Sequence, residues 1–147
     1  MAMKKEGEAR KRETSDEVLS RLPYLRQPLL QFNLPQEIRQ LRQQDSWQRE
    51  TGRSSRTLAK YQDFRIVLVL MKAGSLMKEH HADGRISVHL LQGKVRLHLP
   101  DQKIELSTAE LMVLDHRIRH DVEALEESAF LLTISWPGGT LEERHAI

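Results

Sequence analysis

The spacing of apolar residues changes at about residue 52 of the 147-residue chain. Before that point three apolar residues recur at helical spacing and form one narrow stripe: Leu34, Ile38 and Leu41. Asn33 or Leu34 is placed to cap this helix, and Pro35 suits its first turn. The pattern therefore predicts one helix from Pro35 to about Glu50, ended by Gly52.

Beyond Gly52 the apolar residues fall in short runs that turn residues separate. Eight runs are predicted as strands: 57–61, 64–71, 86–91, 94–99, 103–106, 111–114, 120–125 and 130–136. Many short strands at regular spacing are typical of an all-β barrel or sandwich. The run Phe64–Met71 is apolar on both faces, so we expect the barrel interior to cover one face and the helix or a partner chain to cover the other.

The chain is interpreted as one domain with flanking segments. Residues 1–32 are an N-terminal arm, which is either partly disordered or drapes its apolar residues over a neighbouring surface. Residues 33–52 carry the helix, residues 53–139 form the β-barrel domain, and residues 140–147 are a frayed C-terminal tail. The apolar arm, the doubly apolar strand and the exposed barrel edges together favour a homodimer.

Alternation along two successive strands predicts which side chains face the interior. If Gln92-Gly93 is a two-residue hairpin turn, the apolar positions of both strands share one face: Ile86, Val88, Leu90, Val95, Leu97 and Leu99. His89 and His98 then lie on the outer face as diagonal neighbours. A solvated or subunit-contact face is a better interpretation of this pair than a metal site that bridges the strands.

The same alternation places His120 with Val122 and Ala124 on the inner side of a later strand. An inward histidine needs a partner, which a metal, a backbone carbonyl or a water molecule can provide. For the adjacent pair His80 and His81, an extended backbone allows only one ring to face inward, and alternation does not decide which.

Composition narrows the range of chemistry. The chain has no cysteine, which excludes disulfides, cysteine-based zinc sites and thiol catalysis. Its 23 basic and 21 acidic residues are interleaved, so the basic stripe of a nucleic-acid-binding protein is missing. No apolar run reaches the ~18 residues of a membrane span, and the charged start does not resemble a secretory signal. We therefore expect a cytoplasmic protein that binds neither nucleic acid nor membrane.

Two segments resemble the conserved motifs of the cupin family. Gly74, five further residues and His80 resemble the opening of the first motif, and Gly93 matches its closing glycine. The run 109–115 resembles the strand that opens the second motif, and His120 matches the histidine of that motif. The resemblance implies an all-β, cupin-like double-stranded β-helix or jelly-roll barrel, preceded here by an N-terminal helix and arm.

The resemblance also implies a metal site, which this chain matches in part. Cupins typically use two histidines one residue apart, a glutamate and a distant histidine. His80 and His120 match two of these positions, whereas Ala82 replaces the second histidine and Ile86 replaces the glutamate. We expect His80 and His120 to bind a divalent metal (Fe, Mn, Ni or Zn), with His81 as a third ligand. The alternative is that these are hydrogen-bonded histidines lining an apolar cavity without metal.

The resulting prediction is a small cupin-like barrel that binds a divalent metal through a reduced histidine set and a small molecule in its interior. Six inward positions are predicted to line the pocket: Ile86, Val88, Leu90, Val95, Leu97 and Val122. The alternatives are a metal-free barrel that binds or senses a small apolar or anionic ligand, and a structural dimer with a vestigial cavity. A basic cluster of His116, Arg117 and Arg119 at the predicted barrel mouth is either an anion-attracting site or, more commonly for such residues, a solvated loop. The pattern leaves substrate and reaction open.

Overall fold

The computed structural model of the chain describes residues 21, 23–44, 47, 52–78 and 83–136. The elements bounded in this part of the chain are one helix and nine strands: α1 (Leu34–Arg42), β1 (Arg53–Lys60), β2 (Phe64–Met71), β3 (Leu76–Lys78), β4 (Arg85–Gln92), β5 (Lys94–His98), β6 (Lys103–Ser107), β7 (Leu111–Leu114), β8 (Asp121–Ala124) and β9 (Ser128–Ser135). All paired strands run antiparallel.

The strands form two sheets that enclose one apolar interior. Sheet A has the strand order β1-β2-β9-β4-β7, and sheet B has the order β3-β8-β5-β6. From β3 onward the chain passes repeatedly between the two sheets, as in a jelly roll. Both sheets contribute inward side chains to the larger core cluster, among them Met71, Val88, Leu90, Phe130 and Ile134 from sheet A and Met77, Val95, Leu97, Leu106 and Val122 from sheet B. The predicted all-β jelly-roll architecture is confirmed.

Strand β2 is apolar on both faces because each face packs on a different partner. Its inner side chains join the core between the sheets: Val67, Val69 and Met71. Its outer side chains belong to a second cluster that contains residues of α1 and a tryptophan that follows it: Ile66, Leu68, Leu70, Ile38, Leu41 and Trp47. Helix α1 of the same chain therefore covers the outer face. Of the two alternatives that the sequence left open, the helix and a partner chain, the structure shows the helix.

Helix α1 begins where the sequence predicts and ends earlier. Asn33 is the N-cap, and its Oδ1 accepts a hydrogen bond from the backbone N–H of Gln36 at 3.0 Å. The helix ends at Arg42 with Gln43 as its C-cap, and most of the remaining predicted helical residues lie outside the described part of the chain. Among the described residues, no helix has the length and hydropathy that a bilayer crossing requires.

The predicted hairpin at Gln92-Gly93 is wrong. Strand β4 pairs with β7 and β9, whereas β5 pairs with β6 and β8, so the two strands belong to different sheets. Gly93 has φ +91°, and a Cβ there would collide with the carbonyl oxygen of Glu127 and with Oγ of Ser128. The predicted inner positions of both strands are nevertheless shielded from solvent, because the inner faces of the two sheets point into the same interior.

Two further strand predictions differ from the structure. Strand β1 begins at Arg53 rather than Thr57, since its first residues are polar and give no apolar signal. Strand β3 was not predicted, because its three residues are too few to establish an alternation.

Part of the predicted N-terminal arm packs on the barrel. Leu25 is buried, and the hydroxyl of Tyr61 donates a hydrogen bond to the backbone carbonyl of Gln27 at 2.6 Å. Residues 1–20 of the arm and the predicted tail 140–147 lie outside the described residues.

Candidate functional site at one end of the barrel

Two connectors of six residues join one end of sheet A to one end of sheet B. Residues 79–84, of which the structure describes the last two, lead from β3 to β4, and residues 115–120 lead from β7 to β8. The strand ends that they join are neighbours, because β4 starts beside the end of β7 and β3 ends beside the start of β8. An ion pair of 3.3 Å between Arg117 Nε and Asp83 Oδ1 links the two connectors. We call this end of the molecule the connector end.

Four inward side chains of sheet A form a row across the connector end, which we call the inner row. The strand register places them side by side on β2, β9, β4 and β7: Arg65, Ile134, Ile86 and Leu114. The three aliphatic side chains are buried, and Arg65 is half-buried. Ile86 stands where the resemblance to cupins places a glutamate, so this row has an alkyl group in place of the anionic ligand and carries a cation instead.

His120 is buried at the end of the second connector, as the sequence predicts, with a relative exposure of 5%. Its Nδ1 lies 3.2 Å from the carbonyl oxygen of Ile118. Because a carbonyl only accepts hydrogen bonds, Nδ1 carries the proton in this pair and Nε2 of the neutral ring keeps its lone pair. The same pattern orients histidines that bind metals, and it equally suits a ligand that donates a hydrogen bond.

The described residues supply only part of a metal site. Ile86 has no ligating atom, and no group of three or more His, Asp or Glu side chains within the described ranges could hold a metal ion. His80 and His81 lie outside the described residues. His120 fits the role of one imidazole ligand, and the full set of His80, His120 and His81 stays a prediction.

The six side chains predicted to line a pocket all belong to the core between the sheets: Ile86, Val88, Leu90, Val95, Leu97 and Val122. They do not lie at one level of the barrel. Ile86 and the paired Leu97 and Val122 lie towards the connector end, whereas Leu90 and Val95 lie towards the opposite end. The structure thus separates the predicted lining into two groups, and its role in binding stays a prediction.

His89 and His98 are not neighbours, contrary to the hairpin interpretation. Their strands belong to different sheets, and both residues alternate with buried side chains, which places them outside the interior as predicted. His98 Nε2 lies 2.8 Å from Oε1 of Glu123 on the adjacent strand β8. A metal shared by the two histidines is incompatible with this arrangement.

Two of the three residues of the basic cluster, His116 and Arg117, have local acidic partners. In addition to the Arg117–Asp83 pair, Nδ1 of His116 lies 3.0 Å from Oδ1 of Asp115, which also pairs with Arg85 at 2.9 Å. The hydrogen bonds from the backbone N–H and ring of His116, followed by that from Arg85, lower the pKa of Asp115 to about 2. These local partners reduce the positive charge that the basic cluster has available for an external anion.

Arg65 and Trp136 form a cation–π pair at the connector end. The sequence pattern did not predict this pair. The guanidinium carbon lies 5.2 Å from the centre of the indole ring, within the range of a cation–π contact. Burial lowers the pKa of Arg65. Nε of Arg65 and Nε1 of Trp136 are both buried, and neither has a hydrogen-bond acceptor among the described residues. Alternation along β2 places Arg65 on the same face as Val67. Because both faces of this strand are apolar, the sequence does not show which face is the inner one.

Comparison with known proteins identifies the fold. No family model and no curated protein matches the chain. Among solved structures, a cupin superfamily protein from Desulfitobacterium hafniense matches with a TM-score of 0.58 and 22% identity, over 60% of this chain and 82% of that chain. A protein with a cupin-2 domain from Shewanella frigidimarina matches with a TM-score of 0.56 and 21% identity, over 71% of this chain and 93% of that chain. This chain has the cupin fold.

Solved proteins of quite different size share this fold. The salicylate 1,2-dioxygenase of Pseudoaminobacter salicylatoxidans, solved in complex with gentisate, matches with a TM-score of 0.53 and 10% identity, over 57% of this chain and 25% of that chain. Identities this low show the cupin fold alone, since one fold carries many unrelated functions. The function of this cupin barrel must therefore be argued from its own residues.

Proposed function

We propose that this cupin barrel binds a small molecule at its connector end, together with a divalent metal held by His80 and His120, with His81 as a third ligand. The supporting observation is His120, which is buried at this end with its Nδ1–H directed to the Ile118 carbonyl and with a lone pair left on Nε2. The candidate metals are Fe, Mn, Ni and Zn, of which Fe, Ni and Zn take imidazole ligands readily.

Ile86 makes the proposed metal site weaker than one that includes a carboxylate. Imidazoles and water alone would complete the coordination, so we expect partial occupancy after purification. A bound metal supplies Lewis-acid polarisation of a ligand oxygen. The proposal assigns no reaction.

Elemental analysis of the purified protein tests the metal. We expect metal in the native protein and its loss in the double variant His80→Ala/His120→Ala. The matched control is His89→Ala, which removes a histidine outside the interior and should leave the metal content unchanged. If the native protein holds only trace metal, and the double variant holds the same amount, the metal part of the proposal is wrong.

A second candidate is a metal-free barrel that binds or senses a small ligand without turnover. Two features of the inner row favour it: Ile86 offers no ligating atom, and Arg65 brings a positive charge to the same end. Thermal unfolding with a chelator present and a panel of small molecules tests this candidate. A ligand that raises the melting temperature equally with and without chelator favours it over the metal site, whereas stabilisation that the chelator abolishes favours the metal.

We also propose a homodimer. The edge strand β7 presents Leu111 and Val113 outward, with relative exposures of 60% and 59%, and an apolar edge of this kind is suited to a second copy of the chain. Light scattering at micromolar concentration tests it, and a monomeric mass would overturn it. The cytoplasmic location predicted from the sequence stays a prediction.

A further inference from the structure

We infer that Arg65 and Trp136 together recognise the carboxylate of a small organic acid whose apolar body packs against the inner row at the connector end. The inference rests on the proposed binding of a small molecule at this end. It does not depend on whether a metal is bound, and it extends that proposal by naming the chemical class of the ligand.

The side chain of Arg65 faces the interior. On β2 it lies on the same face as Val67, Val69 and Met71, which belong to or pack against the core between the sheets. The residues of the other face pack towards α1. Arg65 is also paired across the sheet with the buried Ile134. An arginine at such a position places a permanent positive charge at the end of an apolar interior.

No carboxylate within the described ranges forms an ion pair with Arg65. The described acidic side chains of the two connectors are engaged elsewhere, since Asp115 pairs with Arg85 and Asp83 pairs with Arg117. A charge removed from water is costly unless an opposite charge or hydrogen bonds compensate it. The interior therefore contains a half-buried cation whose anionic partner the described part of the chain does not provide.

Trp136 adds a second donor beside that cation. Its side chain is 1% exposed, and its Nε1–H has no acceptor among the described residues. The guanidinium carbon lies 5.2 Å from the centre of the indole ring, so the charged donor and the indole N–H belong to the same small region of the connector end. A carboxylate accepts hydrogen bonds on both oxygens and can meet a guanidinium edge with two of them, so it can satisfy both residues.

Two arguments favour a monocarboxylate with an apolar body over inorganic phosphate. A single guanidinium neutralises one negative charge, and a phosphate dianion would carry a second charge into a region of buried aliphatic side chains. The other members of the inner row are Ile134, Ile86 and Leu114, whose side chains can pack against hydrocarbon and cannot hydrogen-bond to further oxygens.

Isothermal titration calorimetry of the full chain, with chelator present, tests the inference. The probes are benzoate and hexanoate, their uncharged amides, and inorganic phosphate. We expect the native protein to bind at least one acid more tightly than its amide and than phosphate. Arg65→Gln should weaken that binding about ten- to a hundredfold, and Trp136→Phe about three- to tenfold, as expected for the loss of a charged and of a neutral hydrogen-bond donor.

Matched variants separate recognition from folding. Arg85→Gln removes an arginine of the same end that is paired with Asp115 on the outer side, and it should leave the affinity for the acid unchanged. Arg65→Lys keeps the charge but loses the planar pair of donors, so it should fold and still bind about tenfold more weakly. It replaces Arg65→Gln if circular dichroism shows that the latter does not fold.

The remaining outcomes distinguish this inference from the proposed function. If the amide binds as tightly as the acid, if phosphate binds more tightly than either acid, or if Arg65→Lys binds the acid as well as the native protein does, the carboxylate assignment is wrong although a ligand site exists. Failure of every acid, combined with metal binding that depends on His120, also overturns the inference and leaves the metal proposal standing. Failure of all probes and of metal binding overturns both.

Discussion

Gly93 and Gly74 form a matched pair that tests the crossing between the two sheets. Both have positive φ, +91° and +85°. A Cβ at Gly74 would meet no described atom within 4 Å, whereas one at Gly93 would collide with the backbone at Glu127 and with the side chain of Ser128. Replacement by alanine therefore introduces the same backbone strain at both positions and steric overlap only at Gly93.

The expected costs follow from these two terms. An alanine held in a left-handed conformation costs ~1–2 kcal/mol, and the lower entropy of the unfolded chain offsets ~0.4–1 kcal/mol of it. Gly74→Ala should thus lower the free energy of unfolding by about 1 kcal/mol. At Gly93 the overlap adds ~1–3 kcal/mol of overpacking. The Ser128 hydroxyl accepts a hydrogen bond from the N–H of Lys94 and has the carbonyls of Glu126 and Lys94 within reach of its one proton, so it cannot turn away without losing hydrogen bonds. The total for Gly93→Ala is about 2–4 kcal/mol.

Urea unfolding followed by far-UV circular dichroism measures the difference between the two variants. Denaturant slopes for domains of this size are ~1–3 kcal/mol per molar urea, so a difference of ~2 kcal/mol separates the midpoints by roughly 1 M. Equal midpoints for Gly74→Ala and Gly93→Ala, with equal slopes, would refute the close approach of β9 to Gly93. A midpoint lower for Gly74→Ala than for Gly93→Ala would refute it more strongly.

Two further predictions concern charge and packing. The folded pKa of Asp115 is depressed from 3.8 to about 2, so its stabilising effect is complete above the unfolded pKa and is lost as the pH falls from about 4 to 2. The stability gap between the native protein and Asp115→Asn should therefore narrow over that range in urea titrations, and a gap that is constant from pH 6 to pH 2 contradicts it. Replacing the fully buried Leu97 by alanine should lower the free energy of unfolding by ~2–5 kcal/mol. The control Leu111→Ala, on an exposed edge, should stay within about 0.5 kcal/mol in the same assay, provided that the protein is compared as a monomer.

Alternation predicted the facing of β4 and β5 correctly and their pairing incorrectly. Val88 and Leu97 are buried as the period of two requires, and the same rule placed His120 inside. Alternation reports which side chains share a face of one strand, but it carries no information on which strand lies beside it. The turn at Gly93 looked like a hairpin because glycine with positive φ serves hairpin turns and sheet crossings alike.

The candidate site was predictable only where its residues stand in a clear pattern. His120 alternates with apolar neighbours, and its inward position followed. Arg65 stands in a strand whose two phases are both apolar, since one faces the core and the other faces α1. Its inward direction depends on where the helix packs, which is a property of the tertiary structure. Trp136 could be predicted as a packing residue, whereas its unpaired N–H depends on neighbours that are distant in sequence.

The central place of β9 in sheet A has a consequence for how the protein is made. This strand lies between β2 and β4, and it pairs Leu68 with Leu131, so about 60 residues separate partners in the middle of the sheet. On the ribosome, β2 and β4 emerge well before β9. The edge that each of them presents to β9 remains unpaired until β9 has been synthesised. Pairings this distant place the chain among the slower folders, in milliseconds to seconds, and open apolar edges are where nascent chains aggregate. The yield of this barrel in a cell should thus depend on how quickly synthesis proceeds from β4 to β9.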